Sequence, residues 1–167
     1  MKKYLLLFTC IIVSFLFQTA AAQVHANVQV NIGAQPVWGP VGYDRVEYYY
    51  LPDIDAYYNV PRHQYVYLRE GHWVFSAQLP SQYHDYDMDR AYKVVINDPT
   101  PYRHNTQYRA EYAKYRGDHS QEIIRNSHDS RYYQIEGHPE HENWKKEQRD
   151  QHDQKDQHDQ KDQHDHH

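Results

Sequence analysis

Residues 47–62 read EYYYLPDIDAYYNVPR, and this stretch decides how the chain folds. Two short runs rich in Tyr, 47–51 and 56–60, each end at a proline followed by a polar residue, which is typical of successive β-strands. Because the connection between them is so short, we expect the two runs to pair as an antiparallel hairpin. Neighbouring side chains of a strand point to opposite faces, so the doubled tyrosines place rings on both faces of the sheet.

Four further runs extend this pattern along the chain: residues 28–32, 64–68, 72–77 and 91–97. Breaks rich in Gly, Pro or Asp separate most of them, so we expect a meander of about four strands with one more strand after it. The pattern leaves the register between strands open. It allows one face to carry Tyr57, Tyr65 and Tyr67 and the other to carry Val66, Leu68 and Val74.

A helical pattern follows Pro101. Tyr108, Tyr112 and Tyr115 are spaced at i, i+4 and i+7, and Gly117 ends the run. Asn105 and Thr106 are residue types that cap helices. We therefore predict a short amphipathic helix that packs a stripe of tyrosines on the sheet. The expected fold is β-dominated α+β: a small antiparallel meander with one short C-terminal helix, then a disordered tail.

The tail is expected to begin after Gly117. Residues 118–167 hold 13 of the 23 acidic residues, 7 of the 18 Lys and Arg, and 9 of the 14 His. Aliphatic side chains there are almost confined to Ile123, Ile124 and Ile135. Such a segment buries too little apolar surface to offset the entropy of ordering it. We therefore divide the chain into a signal peptide (1–22), a Tyr-rich domain (23–117) and a disordered tail (118–167).

The N-terminus carries the pattern of a secretory signal. Lys2 and Lys3 precede an apolar run at 4–17, and small residues follow up to Ala22. The run is short for a membrane span, so cleavage before Gln23 is favoured over an uncleaved anchor, and no transmembrane segment is expected afterwards. Cleavage would remove Cys10, the single cysteine, and would change the formal net charge from -5 to -7. A periplasmic or secreted protein this acidic is a poor candidate for nucleic-acid binding.

The motifs also resemble a known family. Residues 31–43 read NIGAQPVWGPVGY, residues 48–58 read YYYLPDIDAYY, and 92–97 read YKVVIN. These runs resemble a family of small uncharacterised exported proteins of Bacteroidota, over about residues 30–117. The resemblance implies a secreted or periplasmic single domain; it brings no established activity and no functional residues.

A hexapeptide repeat begins at Asp150; each repeat places a His directly before an Asp, and the last repeat ends with two further His. Imidazole and carboxylate groups are ligands for zinc, nickel and copper, so the tail is predicted to bind such ions weakly, with no cofactor required. The candidate ligands are His152, Asp153, His158, Asp159, His164, Asp165, His166 and His167. On a helix, a step of six residues rotates each His by about 240°, so residues 164–167 are the best local site. Two alternatives remain open, a solvated spacer and a pH-sensitive charge segment.

Motifs of catalysis are weak. The serines lack a nucleophile-elbow pattern, and no cysteine is expected after cleavage. His84 and Asp85, with Asp87 and Asp89, could form a metal or acid/base cluster, but a solvated turn is favoured. His138 and His141 could share a metal, although Gly137 and Pro139 argue against a preformed helix there.

The sequence therefore indicates a non-enzymatic exported envelope protein, with an aromatic β domain for binding or structure and a metal-binding tail. Exposed Tyr, Trp38 and Trp73 would suit a glycan or protein partner. The alternatives are an envelope interaction module whose tail is only a spacer, and a thin sheet whose tyrosines are core on both faces.

Overall fold

The computed structural model of the chain describes residues 30–164, with side chains described as far as residue 155. The predicted signal peptide and residues 28–29 of the first predicted strand lie outside the described residues. Ile32 starts a 3-10 turn, Ile32–Ala34, where the end of that strand is expected. Between residues 30 and 164, no helix combines the length and the apolar character needed to cross a bilayer.

Five antiparallel strands form the sheet. They are β1 (Tyr48–Leu51), β2 (Ala56–Asn59), β3 (Gln64–Arg69), β4 (His72–Ser76) and β5 (Val94–Ile96). Their order, β4-β3-β2-β1-β5, makes the first four a meander and adds β5 beside β1. The predicted β-dominated fold with a meander is confirmed. The fifth strand starts later than predicted, and just before it the Lys93 N–H and C=O both bond to the side chain of Gln121.

The register corrects the predicted faces. Tyr57 lies opposite Val66, and Tyr58 lies opposite Tyr65. Directly opposed residues share a face, so Tyr57 belongs with Val66 and not with Tyr65. Alternation within a strand determines which of its residues share a face. The register between β2 and β3 is set instead by the turn at residues 60–63.

Both faces of the sheet are covered. On one face, Tyr48, Tyr50 and Tyr57 pack beneath Tyr108 and Tyr112. On the other face, the rings of Tyr49 and Tyr58 lie 5.5 and 4.9 Å from the ring of Trp38. Because each face has its own cover, the doubled tyrosines are core residues on both sides of a thin sheet.

The predicted helix is present and shorter than expected: α1 spans Asn105–Glu111, and a 3-10 turn, Ala113–Tyr115, follows it. Tyr108 and Tyr112 pack on the sheet as predicted, whereas Tyr115 stacks on Tyr92. Asn105 is not the cap; its Oδ1 accepts a hydrogen bond from the Tyr57 hydroxyl at 2.6 Å.

The predicted boundary at Gly117 is wrong, because the packed part of the chain continues for about twenty residues. Ile124, Tyr132 and Ile135 are almost fully buried and form one cluster with Ile32 and Val37. The Ile124 N–H donates to the Gly39 carbonyl at 2.8 Å, and the Arg125 N–H donates to the Val37 carbonyl at 2.7 Å. A few well-placed apolar side chains thus order a segment whose average composition is polar.

The last element is α2 (His141–His164), which is a helix where the composition predicts a disordered tail. From Lys145 to Lys155 every side chain is exposed. This part of the chain is rich in Lys, Glu, Gln and Arg, which have high helix propensity. It adds nothing to the buried core as far as its side chains are described.

Candidate functional site

Two clefts lie beside each other around the loop that joins β4 to β5. The first, here called the tyrosine cleft, has a volume of about 400 Å³. It is lined by Tyr65, Ala77, Gln78, Leu79, Tyr83, His84, Tyr86 and Met88. The second, here called the acidic cleft, has a volume of about 290 Å³. It is lined by Asp53, Asp85, Tyr86, Asp87, Arg90, Ala91 and His119.

The sheet holds the tyrosine cleft in place. Tyr65 comes from β3, and Tyr83 ends a 3-10 turn, Ser81–Tyr83, that follows Pro80. Leu79, Tyr86 and Met88 pack on the buried cluster of Leu51, Ala56 and Tyr67. Because these side chains are anchored to the core, the aromatic wall of the cleft has a fixed position.

Tyr86 forms the wall between the two clefts. Its hydroxyl donates to Asp53 Oδ2 at 3.0 Å, and Asp53 Oδ1 accepts from the Gly117 N–H at 2.8 Å. Burial, reinforced by the negative charge of Asp53, raises the pKa of Tyr86 well above its usual value. Tyr86 therefore remains a neutral donor, held by the carboxylate behind it.

His84 and Asp85 form a close but solvated pair. His84 Nε2 lies 2.8 Å from Asp85 Oδ2, and His84 Nδ1 lies 2.9 Å from the Ser81 carbonyl oxygen. The two side chains are 73% and 86% exposed, and they line different clefts. Water competes for both groups, so the pair lacks the shielded setting that strengthens electrostatic effects in a catalytic site.

The neighbouring carboxylates have structural partners. Asp87 Oδ1 accepts from the N–H groups of Asp89 and Arg90, and Asp89 pairs with Arg125. The favoured interpretation, a solvated turn, agrees with these contacts. In the part of the chain that the structure describes, no group of three or more His, Cys, Asp or Glu is arranged to hold a metal ion.

The predicted metal ligands lie in and beyond helix α2. His152 and Asp153 are exposed on this helix. The side chains of His158, Asp159 and His164, and the whole of Asp165, His166 and His167, lie outside the described residues.

The other histidine pair is structural. His138 is buried, and its Nε2 lies 3.2 Å from the Ser127 carbonyl oxygen. His141 Nδ1 lies 3.0 Å from the Tyr133 carbonyl oxygen. These contacts connect the start of α2 to the packed segment before it, which agrees with the favoured non-metal interpretation.

The sheet does not present a face of exposed tyrosines to which a glycan or protein could bind. Of the strand tyrosines only Tyr65 is half-buried; the others are buried. The exposed apolar side chains of the sheet are Leu68 and Phe75, beside half-buried Trp73 on the edge strand β4. Sequence reasoning missed the tyrosine cleft, although the spacing of Tyr83 and Tyr86 in a proline-led loop was a signal for it.

Comparison with known proteins adds no relative: no protein-family model, no curated protein and no solved structure matches this chain.

Proposed function

We propose that this chain is a non-enzymatic protein of the cell envelope, exported to the periplasm or beyond, whose β domain binds a glycan in the tyrosine cleft. The observation that carries the proposal is the combination of Tyr65, Tyr83 and Tyr86 with Gln78 and His84 in one cleft. Aromatic rings offer flat apolar surfaces to the C–H faces of sugars, while the polar side chains can bond to hydroxyl groups.

The size of the cleft favours a small ligand segment. Ligand sites span roughly 300–1,000 Å³, and the tyrosine cleft, at about 400 Å³, is near the lower limit. A short stretch of an oligosaccharide suits such a volume better than a bulky ligand. The exposure of His84 and Asp85 supports binding rather than catalysis, because neither group is shielded from water.

Calorimetric titration with soluble peptidoglycan fragments and a panel of oligosaccharides tests this proposal. We expect one class of saccharide to bind, and Tyr83→Ala to raise its Kd about fivefold, since one aromatic contact contributes about 1 kcal/mol. The matched control is Tyr43→Ala: Tyr43 is 41% exposed and is not a lining residue of the cleft. Its Kd is expected to equal that of the unchanged protein.

Two results would contradict the glycan proposal. One is the absence of binding to every saccharide tested; the other is an equal loss with Tyr83→Ala and Tyr43→Ala. Recovery of a protein partner that is lost with Phe75→Ser would instead support the alternative, a protein interaction module using the β4 edge. That variant changes a side chain that is 45% exposed, so the fold should be retained.

We also propose that the end of the tail binds zinc, nickel or copper weakly. The support is the chemistry of residues 164–167, where three His and one Asp occur together. Titrating zinc into the chain and into His164→Gln/His166→Gln/His167→Gln tests this. A clear loss of binding is expected; equal binding would contradict it and leave the tail as a solvated spacer.

A further inference from the structure

Two tyrosines outside both clefts are stacked face to face. The rings of Tyr92 and Tyr115 are parallel within 2°, with centroids 4.3 Å apart. Tyr92 lies just before β5, and Tyr115 ends the 3-10 turn that follows α1. Both side chains are half-buried, so each remains partly accessible to solvent. The pair thus joins two segments that are far apart in sequence.

The pair ends a row of stacked rings. Tyr112 lies 6.4 Å from Tyr115 at an interplanar angle of 29°, and Tyr108 lies 5.9 Å from Tyr112 at 12°. Tyr92 and Tyr115 are therefore closer and more nearly parallel than the other pairs of the row. Burial raises the pKa of Tyr92, and the adjacent Tyr115 phenol raises it further.

We propose that Tyr92 and Tyr115 are a site of oxidative cross-linking, at which a one-electron oxidant such as a haem peroxidase with hydrogen peroxide forms an intramolecular dityrosine. Each phenol loses one electron and its hydroxyl proton, which gives two phenoxyl radicals. The radicals couple by a carbon–carbon bond between one ortho ring carbon of each residue. The hydrogen on each of those carbons then moves to the phenol oxygen. The two lost hydrogens reduce one peroxide, whose O–O bond breaks, to two water molecules.

The geometry favours this pair over the other tyrosines. Nearly parallel rings whose centroids lie 4.3 Å apart bring carbons of the two rings near each other, and a held pair reacts at a far higher effective concentration than two separate molecules. Tyr49, Tyr50 and Tyr57 are fully buried among packed side chains, with no room to tilt. Tyr92 and Tyr115 are half-buried, and the coupling requires their rings to rotate slightly into bonding distance.

The cross-link would have a mechanical consequence. It would tie the segment after α1 directly to the segment before β5. Closing this loop covalently restricts the unfolded chain, so the cross-linked protein should unfold at a higher temperature than the unmodified protein. A disulfide stabilises a protein in the same way. This chain has a single cysteine, in the predicted signal peptide, and so cannot form a disulfide within itself.

Peroxidase treatment of the purified protein tests the proposal. We expect a monomer lighter by two hydrogens, dityrosine fluorescence, and a digest in which the peptides containing Tyr92 and Tyr115 are joined. The yield should not change on dilution, because the reaction is within one molecule. Tyr92→Phe and Tyr115→Phe should each lose the product, since phenylalanine keeps the ring stack but has no phenol to oxidise. Tyr108→Phe is the matched control and should retain it.

The proposal is overturned if Tyr92→Phe gives the same monomeric product as the unchanged protein, or if the joined peptides contain other tyrosines. It is also overturned if oxidation yields only cross-linked dimers, whose amount rises with protein concentration. Circular dichroism of each variant before oxidation checks that the fold is retained, so that a lost product reports the missing phenol.

Discussion

Residues 118–140 and helix α2 are both polar segments of the predicted tail, yet the first packs against the domain and the second is exposed from Lys145 to Lys155. The first segment buries Ile123, Ile124, Tyr132 and Ile135 against the domain. In α2 every described side chain from Lys145 onwards is exposed. Both stretches are polar and rich in charged residues and His, but only the first also carries Ile and Tyr side chains.

The difference shows that a few apolar residues at the right spacing decide whether a polar segment packs. Full burial of one large aliphatic side chain contributes about 1.5–3 kcal/mol. Backbone bonds to Val37 and Gly39 add to this by pairing the segment with the loop before β1. Beyond Trp144 the sequence of α2 holds no aliphatic residue, and its described side chains from Lys145 to Lys155 are exposed.

Truncation should separate the two regions most clearly. A chain that ends at Gly117 loses the whole apolar set of the first segment and exposes its partners Ile32 and Val37. We expect it to lose cooperative unfolding, because about 5 kcal/mol or more of burial is removed and total stability is typically about 5–15 kcal/mol. Thermal unfolding followed by circular dichroism measures this.

The matched truncation ends at Arg149 and removes only the repeats. Its thermal midpoint should equal that of the full chain. If the chain ending at Gly117 unfolded at the same temperature as the one ending at Arg149, the packing described for residues 118–140 would be refuted.

A single substitution should reproduce part of the first effect. Ile124 is fully buried in the cluster with Val37 and Tyr132, so Ile124→Ala should lower the free energy of unfolding by about 2–4 kcal/mol. Urea unfolding measures it. Gln154→Ala, on the exposed surface of α2, is the control and should change stability by less than about 0.5 kcal/mol. Similar losses in both variants would remove the distinction between the regions.

A buried lysine beside the first segment adds a pH-dependent test of its packing. Lys93 is buried where Gln121 of the first segment contacts it, and burial lowers its pKa from 10.5 to about 8. Between pH 8 and 10.5 the unfolded state therefore binds more protons than the folded state, so this lysine's contribution to stability rises with pH. The change between pH 7 and pH 9.5 should be about 2 kcal/mol.

Comparing the unchanged protein with Lys93→Met isolates that contribution, because the tyrosines titrate in both proteins. At pH 7 we expect Lys93→Met to have a higher free energy of unfolding than the unchanged protein, because it buries no cation. This difference should shrink as the pH rises. Lys155→Met, in exposed α2, is the control for the loss of a lysine outside the core, and its free energy of unfolding at pH 7 should equal that of the unchanged protein. If the free energies of unfolding of Lys93→Met and the unchanged protein differed by the same amount at every pH, burial would not lower the pKa of Lys93.

Local sequence patterns predicted the strands and α1 well, because alternation and turn residues act over a few positions. The chain breaks at Pro52, Pro61 and Gly71 all fall between strands as expected. The register of Tyr57 with Val66, the cover provided by Trp38 and the place of Tyr65 in the tyrosine cleft were beyond reach, since they depend on contacts between distant segments. Ile124 and Ile135 were visible as rare aliphatic residues of the tail, but their partners Ile32 and Val37 were not.

The smallest effect on the domain is expected from breaking α2 itself. Gln151→Pro removes a backbone donor within the helix and should weaken it by about 3 kcal/mol, enough to lose much of its helical signal. Helices without tertiary packing are marginal in water, so the loss should spread along the repeats. The domain's thermal midpoint should not move, because the described side chains of α2 from Lys145 to Lys155 are exposed. A lowered midpoint would mean that α2 contributes to the packed domain after all, and that the two regions form one cooperative unit.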